Sequence, residues 1–156
     1  MSGSEWVDAQ VSGGNTAAES GTPTIMVGGS NQAFNRALPW LQILGEQITR
    51  VGDTGAGHIA KSANHMIVGL TIGALAEAFT LADASGVEPV KSREALFGGF
   101  AHSGILELHG ERLIKEDLQA RAKYNIQRKD IKKPIELARA SNCDLRSLET
   151  NLKLWD

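Results

Sequence analysis

The chain has little of what marks several protein classes. Cys143 is its only cysteine among 156 residues, so no intrachain disulfide can form, which suits a reducing, cytoplasmic setting. Aromatic residues make up 5% and prolines number only 4. Charge of one sign is not in excess: 16 basic against 18 acidic residues leave a formal net charge of −2. That excludes the electrostatic footprint expected for nucleic acid or an anionic membrane surface. The N-terminus carries no basic segment followed by an apolar run, so no secretory signal is read there. The longest apolar tract, Met66 to Ala82, is interrupted by Thr71, Glu77 and Thr80. It reads as a buried helix rather than a membrane span. The four histidines lack helical zinc spacing: His58 and His65 are seven apart, as are His102 and His109, and no HExxH occurs. A metal role is not expected.

What the chain does have is 17 glycines and two regimes of patterning. The fold class expected is mainly α, with a short α/β edge followed by an all-helical domain around one long central helix. Residues 1–52 read as strand, loop and short helix. Trp6 to Val11 is a β-like run, closed by Ser12-Gly13-Gly14, and a polar loop is expected through Thr22. Thr24 to Val27 is a second strand and Ile48 to Val51 a third. Between them Ser30 is a good N-cap for a helix from Asn31 to Leu44, closed by Gly45, with Pro39 expected to kink it or end its first part. Three short strands make a poor independent sheet whose edges seek a partner.

Residues 53–156 read as helices only. The first runs from about His58 to Ser85 and is apolar on all sides, as a helix covered by neighbours is. Its small residues, including Gly69 and Gly73, would let those neighbours approach closely. Further helices are expected at about 89–96, 103–115, 124–141 and 145–154, with a break or bend at Pro134. Trp6, Trp40 and Trp155 are expected as core or interface anchors.

Two local patterns carry chemistry. Gly55-Ala56-Gly57 opens a helix whose first-turn N–H groups suit an anion. Lys61 follows one turn in, with Asn64 and His65 on the same face. An ammonium, an amide and an imidazole so placed can hold a carboxylate beside a carbonyl or hydroxyl, and a partly desolvated lysine can move a proton. A glycine turn, a helix start and a surface lysine would look the same. Ser12-Gly13-Gly14 after a strand can cradle a carboxylate, although it is also ordinary turn chemistry.

Taken in order, Asp-x-x-Val-Ser-Gly-Gly from Asp8, Gly-Thr-x-Thr-Ile-Met-Val-Gly-Gly from Gly21 and Gly-x-Gly-x-x-x-Lys-x-x-Asn from Gly55 resemble the β-hydroxyacid dehydrogenase family. That family includes 3-hydroxyisobutyrate dehydrogenase and tartronate semialdehyde reductase, with 6-phosphogluconate dehydrogenase a more distant relative. The likeness continues through Gly98-Gly99-Phe100-Ala101, Ile105 to Gly110 and Lys129-Asp130. It implies that Ser12, Gly13 and Gly14 bind a small carboxylate substrate. Lys61 would be the catalytic proton donor or acceptor, with Asn64 and His65 beside the substrate. Lys129 and Asp130 would close the site near an NAD or NADP cofactor. On their own, Lys129 and Asp130 read as a solvated charge pair.

The chain departs from the family at Gln10, where proline is usual, at His65, where a second amide is usual, and at Gly104, where arginine is common. No Gly-x-Gly-x-x-Gly fingerprint occurs, so residues 1–52 are expected as a remnant of the nucleotide-binding sheet. The expectation is a truncated NAD(P)-dependent dehydrogenase, inactive alone and assembled as a homo-oligomer, a dimer that could exchange elements across the long helix. The alternative is a stand-alone binding or oligomerisation module derived from that domain.

Overall fold

The computed structural model describes residues 4–116 and 124–155. In chain order the elements are β1 (Asp8–Ser12), α1 (Gly14–Ser20), β2 (Thr24–Gly28), α2 (Asn31–Leu44), β3 (Gln47–Gly52), α3 (Ala56–Ala84), α4 (Pro89–Phe97), α5 (Gly104–Ile114), α6 (Tyr124–Ala140) and α7 (Arg146–Leu152), with a 3-10 turn at Lys153–Trp155. The molecule is mainly α with a short α/β edge. It divides into two compact units, Met1–Asn64 and His65–Asp156, and the division falls within α3.

In the first unit the sheet order is β1-β2-β3. β1 pairs antiparallel with β2, Asp8 opposite Gly28 and Ser12 opposite Thr24. β2 pairs parallel with β3, and α2 supplies the crossover that parallel strands need. The core is Ile25, Val27 and Leu41, with Val7, Ala9, Phe34, Ala37 and Ile48 packed against it. Alternation explains β2: Ile25 and Val27 face α2 while Met26 faces away. Ser30 Oγ accepts from the Ala33 N–H at 3.0 Å and starts α2 where its sequence says it should.

The polar stretch after Gly14, expected as loop, is the short helix α1. It holds no buried residue, so no apolar stripe announced it. α2 runs unbroken through Pro39. Pro39 and Asn35, whose carbonyl the proline leaves without an amide partner, both lie on the exposed side, where water can take that carbonyl. Trp6 and Trp40 are 77% and 72% exposed, so neither is a core residue of this chain. The side chain of Trp155 lies outside the described residues.

In the second unit two clusters form along α3. Leu75 and Phe79 pack with Leu106 of α5 and partly buried Leu96 and Phe97 of α4. Met66 and Leu70 pack on Ile131, Ile135 and Leu148 of α6 and α7. The small residues of α3 do what their size suggests. A Cβ at Gly69 would lie 3.0 Å from Ile131, and one at Gly73 would overlap the buried amide of Asn151. α6 continues through Pro134 as one helix instead of breaking there, because Pro134 is itself buried beside Ile135 and Ala138 and packing holds the turn. Gly104 has open space at its Cβ position, so sterics alone do not require glycine there.

The expectation that α3 is covered on all sides does not hold within the single chain. Its neighbours cover part of its surface, and Ile67 and Leu81 stay 59% and 69% exposed. By length and composition α3 would also suffice to cross a membrane. Ile131, with no exposed surface, is the keystone of the α3–α6 seam. Ile131→Ala is expected to cost about 2–5 kcal/mol, read as a lower urea midpoint at unchanged slope.

Candidate functional site

The N-terminus of α3 is built around one carboxylate. Asp8 Oδ1 accepts from the Gly55 N–H at 2.6 Å. Asp8 Oδ2 accepts from the His58 N–H at 2.9 Å and lies 3.1 Å from His58 Nδ1. On the other edge of that ring, His58 Nε2 is 3.2 Å from Gln10 Nε2. The residue that replaces the family's proline therefore meets the histidine that Asp8 holds. Asp8 also explains the glycines: a Cβ at Gly28 or at Gly57 would overlap its carboxylate oxygens. Gly55, at φ 95°, takes a conformation that other residues resist. Arg50 braces the turn, donating to Gly29 O and Asp53 Oδ1, each at 2.8 Å.

These contacts revise the reading of Gly55-Ala56-Gly57 as a ligand turn. The anion at this helix start is the protein's own. Two first-turn amides belong to Asp8, and the Ala56 N–H goes to Asp53 O at 2.9 Å. Gly28, Gly29 and Gly57 serve close packing, not phosphate cradling.

One turn further in, α3 presents the polar set. Lys61 and Asn64 are half-buried. Ser12 Oγ, at the end of β1, donates to Asn64 Oδ1 at 3.4 Å, bringing together two candidates 52 residues apart in sequence. Gly13 and Gly14 have φ of 126° and 62° and form the turn into α1; the Gly13 carbonyl accepts from the Ala17 N–H at 3.3 Å. In the second unit His65 Nε2 lies 3.7 Å from Asp130 Oδ2, their side chains 20% and 18% exposed. Neighbouring Lys129 is exposed. With Arg128, Lys132, Lys133 and Glu136 it lines a hollow of about 420 Å³ on the outer face of α6. The hollow brings four cationic side chains and one carboxylate to one helical face. Among the described residues, no three His, Cys, Asp or Glu side chains gather as a metal site would require.

Sequence reasoning missed Asp8, Gln10 and His58. The signal was present only as Asp8 at the head of the first motif, and its partners lie about 50 residues downstream.

A family model described as "NAD-binding of NADP-dependent 3-hydroxyisobutyrate dehydrogenase" matches residues 55–156. A second, for the NAD binding domain of 6-phosphogluconate dehydrogenase, matches residues 1–52. The chain belongs to the β-hydroxyacid dehydrogenase family. It is 42% identical over 154 residues to 2-hydroxy-3-oxopropionate reductase of Escherichia coli strain K12, covering 99% of this chain and 53% of that protein. It is 36% identical over 144 residues to 2-(hydroxymethyl)glutarate dehydrogenase of Eubacterium barkeri, covering 92% and 48%. The crystal structure of 3-hydroxyisobutyrate dehydrogenase from Salmonella typhimurium superposes with a TM-score of 0.87 at 30% identity, over 97% of this chain and 53% of that one. The chain thus spans about half the length of the relatives it matches.

The Asp8 carboxyl is held below its usual value. Burial pushes it up, but the Gly55 N–H and the ring and N–H of His58 together outweigh burial. A lowered carboxyl stabilises the fold at pH values above its unfolded value of about 4. That contribution is lost as pH falls through the folded value. Asp8→Ala is expected to cost about 1–3 kcal/mol at pH 7. The gap from the native chain should narrow in urea melts toward pH 3, and a constant gap would contradict this account.

Proposed function

We propose that this chain supplies the substrate-binding side of an NAD(P)-dependent β-hydroxyacid dehydrogenase. The observation that carries the reading is the Ser12–Asn64 contact one turn from Lys61, set in a chain of this family. The names of the relatives define a ligand class. 2-Hydroxy-3-oxopropionate, 3-hydroxyisobutyrate and 2-(hydroxymethyl)glutarate share a carboxylate on C1 and an oxygen on C3. They differ in the group on C2, which is a hydroxyl, a methyl and a carboxyethyl group respectively.

In this reading the Ser12 hydroxyl and the turn amides at Gly13 and Gly14 take the C1 carboxylate, and Asn64 orients the bound acid. Lys61 Nζ gives its proton to the C3 carbonyl oxygen as that oxygen gains negative charge, and recovers it from solvent. In the oxidative direction the neutral amine takes the proton back. The nicotinamide cofactor, when bound, supplies or accepts the hydride. Lys129 and the cations beside it on α6 would meet its phosphates. Because the sequence carries no Gly-x-Gly-x-x-Gly, dinucleotide affinity of this chain is expected to be weak. A clear NADPH-dependent rate with 2-hydroxy-3-oxopropionate would overturn that expectation.

Calorimetry with glycerate, the reduced form of 2-hydroxy-3-oxopropionate, tests the site. Lys61→Ala should weaken binding at least tenfold, the loss expected when a charge-assisted contact is removed. Unchanged affinity would remove Lys61 from the site.

We further infer a homo-oligomer. Ile72, Gly73, Ala76, Leu81 and Leu154 line an open apolar hollow of about 630 Å³ along the uncovered flank of α3, a surface suited to a second copy. Light scattering should report a dimer or larger species that Leu81→Glu shifts toward monomer. A native monomer at micromolar concentration would end this inference.

A further inference from the structure

Asp8, Gln10 and Ser12 lie on one face of β1 and meet α3 in order. Asp8 accepts from the Gly55 and His58 amides, Gln10 meets the His58 ring, and Ser12 meets Asn64. We propose that Gln10, its amide aimed by the Asp8–His58 pair, is a substrate-contacting residue whose carbonyl oxygen accepts a hydroxyl on C2 of the acid. The proposal rests on the Ser12 and Lys61 assignments above and extends them to substrate choice. Every residue it uses lies in the first unit.

Hydrogen-bond polarity is the first support. The Asp8 carboxylate can only accept, so the proton of a neutral His58 ring sits on Nδ1, 3.1 Å from Asp8 Oδ2. Nε2 is then an acceptor, and it takes an N–H of Gln10 Nε2 at 3.2 Å. An amide's nitrogen and oxygen are told apart by such a network. This one is consistent with the nitrogen toward the ring and Oε1 turned away from it. Because backbone amides of Gly55 and His58 hold the carboxylate, the chain of bonds starts from a fixed atom. Gln10 thus offers a directed acceptor, where the proline usual in the family offers none.

Position is the second support. Residues two apart on a strand share a face, roughly 6–7 Å from each other, and residues three apart on a helix are neighbours. Lys61 is three residues from His58 and three from Asn64. On α3 it therefore stands between the partner of Gln10 and the partner of Ser12. An acid with its C1 carboxylate at Ser12 and its C3 oxygen at Lys61 has C2 between those points, and Gln10 is the next polar side chain along that face of β1. Gln10 and Ser12 are both half-buried, so an acid lying over them displaces water. A C2 hydroxyl restores a donor to Oε1, whereas a hydrogen or a methyl at C2 leaves that oxygen without one. The chemistry selects 2-hydroxy-3-oxopropionate and glycerate over acids that lack the C2 hydroxyl.

Calorimetry on the full chain and on three variants compares glycerate with 3-hydroxypropionate, the same acid without its C2 hydroxyl. The native chain should bind glycerate about fivefold more tightly, the worth of one hydrogen bond. Gln10→Met, similar in length but without the amide, should bring the ratio to about one and leave 3-hydroxypropionate unchanged. His58→Phe keeps a ring but has no nitrogen to aim the amide. It should lower the ratio by about twofold or more, again with 3-hydroxypropionate unchanged, whereas loss of structure would weaken both acids. Lys61→Ala should weaken both alike. If Lys61→Ala behaves so while Gln10→Met keeps the native ratio, the proposal fails and the proposed function stands. A native chain without preference, or a fall of both acids together in His58→Phe, also overturns the proposal. If the native chain binds neither acid, both readings fall.

Discussion

The first unit depends on a carboxylate that the strand edge lends to a helix. Asp8 leaves β1 and closes the N-terminus of α3, accepting from Gly55, from the His58 amide and approaching the His58 ring. A helix start has orphan amides and a partial positive charge, and an aspartate buried against it needs both. Each supplies what the other lacks, so the junction stays fixed without a large core. Glycine at 28 and 57 follows as a steric requirement of that carboxylate. The helix terminus is thereby occupied from within, and Lys61 and Asn64 stand one turn deeper.

That displacement marks how far the sequence could be read. Elements declared by local rules were legible. α2 begins at Ser30 and ends at Gly45 because its caps and apolar period agree, and α3 declared itself by length and by Gly86, which takes φ 79° after its last turn. Features set by distant partners were not legible. Asp8 looks like any residue at a strand start until Gly55 and His58 are brought to it across about 50 positions. α1 escaped because a surface helix without buried residues has no period to detect. Pro39 was read as a kink or an end and Pro134 as a break or bend because intrinsic propensity is local, whereas both helices run on, with one proline exposed and the other packed.

The candidate site divides in the same way. Lys61, Asn64 and Ser12 were named from local pattern and from the family resemblance, and the fold brings Ser12 to Asn64, a contact that the sequence did not announce. In its own neighbourhood His65 is simply a departure from an amide, and its nearness to Asp130, at 3.7 Å, is set by α6. That Ile131 follows Asp130 is what makes the placement firm: a fully buried residue in the seam fixes the register of α6, and the preceding carboxylate is carried with it.

α3 thereby joins two kinds of surface on one rod. Its first half carries His58, Lys61, Ser62, Asn64 and His65; its second half is almost wholly alanine, glycine and aliphatic residues, with Glu77 and Asp83 the charged exceptions. A functional group is held most precisely on a long regular element whose far end is anchored by packing. Here Leu75 and Phe79 provide that anchor through Leu106, and Gly69 and Gly73 bring α6 and α7 close enough to hold the middle. The uncovered aliphatic flank is then the counterpart of the polar end.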